Sequence, residues 1–160
     1  MEKMSQVEAL AAITTAAVAS EKATGVPAEL TAAQCIFESG WLKVAPGNNC
    51  FGIKDTDRLP GSQYFLTKEY INGQWHQQRL AFEVYPSLAA CFEDHGGLLA
   101  SGKPYREAFK VYQSDKDLKK LCYAVASRYA TAPTYGDMIW QMATSTNLTA
   151  ALAAARKEKV

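Results

Sequence analysis

The sequence predicts an α+β fold, in which a mainly helical body carries a small antiparallel β-hairpin lobe. Apolar residues recur at spacings of three and four before residue 45 and after residue 86, as in amphipathic helices. Between Cys50 and Tyr85 the pattern instead shifts towards alternation, as in strands. The 160 residues suit one domain, which we place at residues 1–146, with residues 147–160 as a helical or frayed C-terminal tail.

The first helix is predicted from about Ser5 to Ala23, and Gly25 ends it. Its Ala-rich middle contains Ala17-Val18-Ala19, which resembles a signal-peptidase site. Acidic and polar residues nevertheless replace the basic start of a secretory signal, and threonines interrupt the apolar run. We therefore favour a core helix here and expect no signal peptide.

The second helix is predicted to open with Pro27 at its first position, where a missing N–H costs nothing. Leu30, Ala33 and Phe37 follow at helical spacing, and the helix ends near Ser39-Gly40. A loop of turn-forming residues, 45–49, comes next.

The strand region is predicted to be a hairpin, because Asn72-Gly73 lies between two alternating runs. A two-residue turn there pairs residue 71 with 74, 70 with 75, and Glu69 with His76. Alternation places Tyr64, Leu66 and Tyr70 on one face, and Phe65, Thr67 and Glu69 on the other.

Three more helices are predicted after Pro86. Ser87 caps the first, in which His95 lies on an apolar face and is expected to be a core histidine. Ser114-x-x-Asp117 resembles a capping box for the next helix. Pro133 starts the last core helix.

Composition argues against several classes of function. Lys plus Arg (17) and Asp plus Glu (16) leave a net charge of +1, so nucleic-acid binding by bulk charge is not expected. No apolar run approaches the roughly 20 residues that span a bilayer. The four cysteines form no C-x-x-C pair, and only two histidines are present. We expect buried reduced thiols, with disulfides after export left open, no metal or organic cofactor, no membrane partner, and a monomer.

Glu38 is the first candidate for chemistry. It lies in the last turn of the second helix, where the helix dipole disfavours an ionised carboxylate. Phe37 and Trp41 are expected to desolvate it further, and a carboxyl group that keeps its proton is what a general acid requires. A solvated glutamate on a helix surface is the alternative.

The surroundings of Glu38 closely resemble glycoside hydrolase family 73, within the lysozyme-like superfamily. The segments AQCIFESGW (33–41) and APGNNCFGIK (45–54) are similar to its A-Q-x-x-x-E-S-G-W-G and P-G-N-N-x-F-G-I-K motifs. TKEY (67–70) with Asn72-Gly73, FEVYPS (82–87) with FEDH (92–95), and YATAPTY (129–135) follow in the family's order. The resemblance covers about residues 5–142 and implies a lysozyme-like fold.

The resemblance implies a peptidoglycan endo-β-N-acetylglucosaminidase that acts on peptidoglycan glycan strands. It places the catalytic acid on Glu38, a second carboxylate on Glu69, and an aromatic residue beside the sugar on Tyr129. The hairpin position of Glu69 favours an ionised group, as glycoside hydrolysis normally requires beside the acid. Candidate substrate contacts are Trp41, Asn49, Phe51 and Tyr135. Trp41 and Phe51 could instead be core residues, and Asn49 could instead brace the loop.

Three departures from the family pattern affect these assignments. Leu42 replaces a glycine, which would let the second helix continue, and Ala132 replaces an aspartate. Glu83 stands where arginine is usual, which makes it a rival second carboxylate. Water activated without a second carboxylate, or help from the substrate's acetamido group, also remains open.

Two other readings of the function stay open. A muramidase or lytic transglycosylase would use a lone glutamate at a helix end on the same fold, and a silent glycan-binding module would bind wall fragments without cleaving them. The expected absence of a signal peptide suggests a phage-type endolysin or an autolysin exported by another route.

Overall fold

The computed structural model describes residues 4–56, 59–129 and 132–158. Helices dominate this part of the chain, and one two-stranded antiparallel hairpin interrupts them. None of the described helices has the length and apolar character needed to cross a membrane. In chain order the elements are α1 Gln6–Thr24, α2 Ala28–Ser39, β1 Ser62–Ile71, β2 Gln74–Glu83, α3 Leu88–Ser101, α4 Arg106–Asp115, α5 Leu118–Tyr129, α6 Thr134–Ala143 and α7 Thr146–Lys157.

Helices α1 and α2 confirm the first two helical predictions. Ser5 caps α1 in a capping box with Glu8, and Gly25 ends the helix at φ 82°. Ala9, Ile13 and neighbouring residues of α1 are buried, so this Ala-rich segment is a core helix. Pro27 is the N-cap of α2 rather than its first helical residue, one position from the prediction.

The helical body has a core in two parts, and α2 contributes to both. One part joins α1, α3 and α7, and the other joins α4, α5 and α6. Gly96 allows α1 and α3 to approach closely, since a Cβ there would lie 2.6 Å from Ser20 Oγ. The Ser20 hydroxyl uses this proximity to donate a hydrogen bond to the Phe92 carbonyl (2.9 Å).

The C-terminal segment is helical, as predicted, and one side of it is packed rather than solvated. Leu148 and Leu152 of α7 are buried in the core. Arg156, near the end of α7, forms ion pairs with Glu21 of α1 (2.7 Å) and Glu29 of α2 (2.6 Å). Helix α7 is thus packed on the body, and the division of the chain at residue 146 stays a prediction.

The hairpin has the predicted register. Ile71 pairs with Gln74, Tyr70 with Trp75 and Glu69 with His76. Asn72 (φ 52°) and Gly73 (φ 79°) both occupy the left-handed region, as a type I′ turn requires.

Contacts at the base attach the hairpin to the loop after α2. Gln63 Nε2 donates to the Pro46 carbonyl (2.7 Å), and the Glu83 amide donates to the Ile53 carbonyl (2.9 Å). Lys54 also forms an isolated antiparallel bridge with Phe82. The remainder of each strand extends away from this attachment, so the lobe is held at one end.

Two predictions in the C-terminal half were wrong or incomplete. Helix α4 was not predicted, because its ten residues carry few apolar side chains and only Phe109 is buried. Ser114 lies inside α4 and does not cap α5. Instead Asp117 Oδ1 accepts a hydrogen bond from the Lys120 amide (3.0 Å), so Asp117 takes the capping role.

The four cysteines are buried and their thiols are free, as predicted. Cys50 Sγ and Cys91 Sγ lie 3.9 Å apart, so the loop after α2 packs directly against α3. Burial and the neighbouring thiols of Cys35 and Cys91 raise the pKa of the Cys50 thiol.

Candidate active site

Glu38 lies at the edge of a cleft between the hairpin and the loop after α2. The cleft has a volume of about 300 Å³. The loop supplies Val44, Pro46 and Asn49 to its wall, and the hairpin supplies Gln63, Phe65, Thr67 and Phe82. The side chains from β1 alternate along the strand, so one face of the hairpin faces the cleft.

The Glu38 carboxylate is exposed at the end of α2, which corrects the expected desolvation by Phe37 and Trp41. Tyr135, in the first turn of α6, donates a hydrogen bond from its hydroxyl to Glu38 Oε1 (3.0 Å). Burial is the main cause that raises the pKa of Tyr135, and the charge of Glu38 adds to it. The hydroxyl therefore keeps its proton at neutral pH and fixes one oxygen of the carboxylate.

The chain reverses immediately after Glu38, so the helix does not continue through Leu42 as the sequence suggested. Gly40, Trp41 and Leu42 have φ of 59°, 61° and 66°, three consecutive residues in the left-handed region. The Ser39 hydroxyl holds the turn, donating to the Cys35 carbonyl (2.6 Å) and accepting from the Leu42 amide (2.9 Å). Left-handed backbone costs a non-glycine residue roughly 1–2 kcal/mol, and such strain is often found at functional sites.

A buried layer of polar side chains lies beside Glu38. His95 of α3 is 1% exposed, and its ring stacks on Phe51 with centroids 3.7 Å apart. Its Nε2 lies 3.0 Å from Gln34 Oε1, and its Nδ1 lies 3.2 Å from the Tyr129 hydroxyl. Burial lowers the pKa of His95 to about 3, with a smaller opposing effect from Asp94. The prediction of a core histidine is confirmed.

Tyr129 lines a second cavity of about 320 Å³ on the other side of the loop. Phe51 and Tyr105 line it too, and Gly52 lines both this cavity and the cleft at Glu38. Burial raises the pKa of Tyr129, and the neighbouring Tyr105 and Glu38 add to this rise. The two cavities are thus neighbours, with Glu38 and Tyr129 at different ends.

The remaining predicted contacts differ in exposure. Trp41 is half-buried and packs against the core, and Phe51 is 3% exposed. Asn49 is also buried, and its Nδ2 donates to the carbonyls of Ile53 (2.9 Å) and Glu83 (3.1 Å). Asn49 therefore braces the loop, while direct sugar contacts by these three residues stay predictions.

The rival second carboxylate, Glu83, is fully buried and does not line the cleft. Its Oε1 accepts a hydrogen bond from the Thr56 amide (3.4 Å). This burial favours a structural role at the base of the hairpin over contact with substrate.

Glu69 lies in β1 opposite His76, and its position falls on the same strand face as Phe65 and Thr67. The side chain of Glu69 lies outside the described part of the structure, as do Ala130 and Thr131 of the motif after Tyr129. Their predicted roles stay predictions.

Gln34 belongs to the site but was not predicted as a functional residue. It is completely buried and lies one helical turn before Glu38. The spacing of four residues, which puts two side chains on one face of a helix, was the available signal. In the described ranges, His, Cys, Asp and Glu form no group of three or more that could hold a metal ion.

Comparison with known proteins relates this arrangement to cell-wall enzymes. A family model for glucosaminidase, described as mannosyl-glycoprotein endo-beta-N-acetylglucosaminidase, matches residues 14–148. The chain is 34% identical over 136 residues to a probable N-acetylmuramidase of Lactococcus lactis subsp. cremoris, covering 79% of this chain and 30% of that protein. It is 34% identical over 138 residues to an autolysin of Enterococcus faecalis, covering 80% and 18%. The chain thus spans less than a third of the length of these two relatives.

A solved structure of similar fold is the catalytic domain of the autolysin Auto from Listeria monocytogenes. Its TM-score is 0.78 at 27% sequence identity, and the match covers 94% of this chain and 90% of that one. The mainly helical fold with a small antiparallel hairpin is therefore shared with this domain, as the sequence predicted.

Proposed function

This chain belongs to the glucosaminidase family of glycoside hydrolases, glycoside hydrolase family 73, and we propose that it hydrolyses the glycan strands of peptidoglycan. We assign the cut to the β-1,4 bond on the reducing side of N-acetylglucosamine, before N-acetylmuramic acid. The position of Glu38 carries this proposal, because its carboxylate stands at the edge of a cleft with Tyr135 hydrogen-bonded to one oxygen. The names of the autolysin and N-acetylmuramidase relatives support the choice of substrate.

Glu38 acts as the general acid in this proposal. Tyr135 donates to Oε1, so Oε2 is the oxygen that carries the proton to the glycosidic oxygen. Because Glu38 is exposed in the free protein, bound glycan supplies the covering that excludes water from the carboxyl group.

Glu69 is proposed as the second carboxylate. Its strand position lies on the hairpin face that forms the cleft wall with Phe65 and Thr67. The lobe is attached at its base, so closure over the glycan would bring β1 towards Glu38. An anion there stabilises the positive charge that develops at the anomeric carbon.

A muramidase is the second candidate, because the Lactococcus relative is named a probable N-acetylmuramidase. The two activities cut alternate bonds of the same strand and require the same acid. A lytic transglycosylase would differ from both in leaving an anhydro-muramic end.

Mass spectrometry of muropeptides tests the choice of bond. Purified peptidoglycan is digested with the protein, and the new ends are identified. Reducing-end N-acetylglucosamine is the expected product. Reducing-end N-acetylmuramic acid would establish the muramidase, and anhydro-muramic ends the transglycosylase.

Glu38→Gln tests the acid. We expect wall lysis to fall by about 10²–10⁴-fold, the usual range for general acid catalysis, with an unchanged melting temperature because the amide is nearly isosteric. Glu107→Gln, at an exposed glutamate in the first turn of α4, is the matched control. Lysis at the wild-type rate by Glu38→Gln would disprove the assignment.

Glu69→Gln tests the second carboxylate. Its effect should fall on turnover more than on glycan binding, because the anion acts mainly in the transition state. Glu83→Gln is the comparison, and its burial predicts a change in stability rather than in turnover. Normal turnover in Glu69→Gln with lost turnover in a folded Glu83→Gln would transfer the role to Glu83.

A further inference from the structure

A buried row of hydrogen-bonded side chains runs from Tyr129 to Gln34, one helical turn before Glu38. From the hydroxyl of Tyr129 the contacts run to His95 Nδ1 (3.2 Å), and from His95 Nε2 to Gln34 Oε1 (3.0 Å). At the other end, Tyr135 contacts Glu38 (3.0 Å). His95 and Gln34 are buried and do not line the cleft at Glu38, so the proposed reaction leaves them without a role.

The donors and acceptors in this row can be assigned in order. Gln34 Oε1 only accepts hydrogen bonds, so the His95 nitrogen that faces it must carry the hydrogen. His95 is 1% exposed and stacked on Phe51, which favours the neutral ring with a single N–H. His95 Nδ1 is then an acceptor, and the Tyr129 hydroxyl donates its proton to it.

The amide nitrogen of Gln34 continues the row towards Glu38. It has no hydrogen-bond partner within the described part of the chain. The Gln34 side chain opposes the rise in the pKa of Tyr135, which burial and Glu38 cause. The Tyr135 hydroxyl donates its hydrogen bond to Glu38, so its oxygen keeps lone pairs that can accept a hydrogen bond from an amide.

We propose that Gln34 and His95 are positioning residues, which hold the Tyr129 hydroxyl oxygen as a hydrogen-bond acceptor in the cavity that it lines. The proposal rests on the glycosidase function proposed above. Tyr129 then presents oxygen lone pairs, not a proton, to a sugar that extends from the cleft into this neighbouring cavity, which suits a site where positive charge develops.

The protonation of His95 tests the assignment without any activity measurement. In ¹⁵N-labelled protein, ring-nitrogen chemical shifts distinguish a protonated Nε2 from a protonated Nδ1, and His76→Gln assigns the two histidines. We expect His95 to be neutral with the proton on Nε2 from pH 8 to pH 5. A proton on Nδ1, or a doubly protonated ring in that range, would overturn the proposal.

A pair of His95 variants tests the consequence for catalysis. Both remove the ring, but the side-chain carbonyl introduced by His95→Asn lies near the former Nδ1 and can accept from Tyr129. The longer amide introduced by His95→Gln reaches the Nε2 position instead and can only replace the bond to Gln34. We expect His95→Asn to keep about tenfold more kcat than His95→Gln, at similar KM and melting temperature.

Two results would contradict this expectation. If His95→Asn and His95→Gln lost kcat equally, or in proportion to their melting temperatures, His95 would act only through packing. An inactive wild-type protein would refute the proposed function and leave the tautomer result standing.

A different surface carries a second, independent inference. The hairpin face opposite the cleft presents large side chains to solvent, with Leu66 71% and Trp75 69% exposed. The rings of Tyr70 and Trp75 are 5.1 Å apart, and the Arg79 guanidinium lies 4.6 Å from the ring centre of Tyr64. We name this the outer face: Tyr64, Leu66, Lys68, Tyr70, Trp75, Gln77, Arg79 and Ala81.

We infer that the outer face binds an acidic glycan strand other than the one in the cleft. Aromatic rings with adjacent polar donors are suited to sugar faces, and Lys68 and Arg79 complement carboxylates on the polymer. The eight outer-face positions include no acidic residue, so a second copy of the chain using the same face would bring like charges together. This inference also rests on a peptidoglycan substrate.

Binding and cleavage are measured separately to test it. In the Glu38→Gln background, Trp75→Ala should weaken sedimentation with insoluble peptidoglycan by about tenfold, the loss expected for an exposed aromatic anchor. In the active protein, Trp75→Ala should leave cleavage of a soluble peptidoglycan tetrasaccharide unchanged. Val111→Ala, at an exposed apolar residue of α4, is the control. Unchanged sedimentation, or a wild-type dimer in analytical ultracentrifugation that Trp75→Ala abolishes, would overturn the inference.

Discussion

Acid should destabilise this protein through His95 before its carboxylates are protonated. Burial holds the pKa of His95 at about 3 in the folded protein, against 6.5 in the unfolded chain. Between these values the unfolded chain binds more protons than the folded protein. The contribution of the neutral ring to stability is therefore complete above pH 6.5 and is lost progressively as the pH falls towards 3.

The size of the effect follows from the two pKa values. Between pH 7 and pH 5, preferential protonation of the unfolded chain at one histidine lowers the free energy of unfolding by about 2 kcal/mol. The result depends little on the folded-state pKa, provided that it lies below about 4. Other groups add to the total change, but they are common to wild type and variant and cancel in the comparison.

Urea denaturation at pH 7 and pH 5 measures the difference. We expect the wild type to lose about 2 kcal/mol more than His95→Gln between the two pH values. His76→Gln, at an exposed histidine of β2, should behave like the wild type. An equal loss in His95→Gln and wild type would mean that folded His95 accepts a proton in this range, which would refute the reasoning from burial.

Two further predictions concern stability. At position 42 the left-handed backbone (φ 66°) should make Leu42→Gly more stable than Leu42→Ala by about 1 kcal/mol in urea denaturation, the reverse of the order in a helix. An Ala variant at least as stable as Gly would argue for helical backbone there. Arg156→Met should lower the free energy of unfolding by about 1 kcal/mol, because Arg156 bridges α7 to Glu21 and Glu29 at a partly exposed site. High salt should shrink this difference, and a difference that is independent of salt would point to lost packing instead.

The elements that follow from local chemistry were predicted well. Asn72-Gly73 specifies a two-residue turn, and this turn alone fixes the whole register of β1 and β2. Ser5 and Gly25 bound α1 for similarly local reasons. Helix α4 was missed because Phe109 is the only buried residue among its ten.

The sequence also predicted the position of Glu38 at the end of a helix, but it did not predict which residues form hydrogen bonds with Glu38. The hydrogen bond from Tyr135 joins residues 97 positions apart, and no local pattern encodes such a contact. The exposure of Glu38 and the left-handed backbone at Leu42 were not predicted either. Tertiary packing therefore decided the site, while local signals decided the framework.

The attachment of the hairpin at its base makes it a lever. Each strand has ten residues, so at about 3.3 Å per residue the arm is about 30 Å long. A rotation of about 10° at the base therefore moves the tip of the hairpin by about 5 Å, which is about the width of one sugar ring. A few hydrogen bonds around Gln63 and Ile53 act as the pivot. Gln63 and Phe65 of the cleft wall lie near this pivot, so a small rotation there would move the hairpin beyond Thr67 far more than the wall next to Glu38.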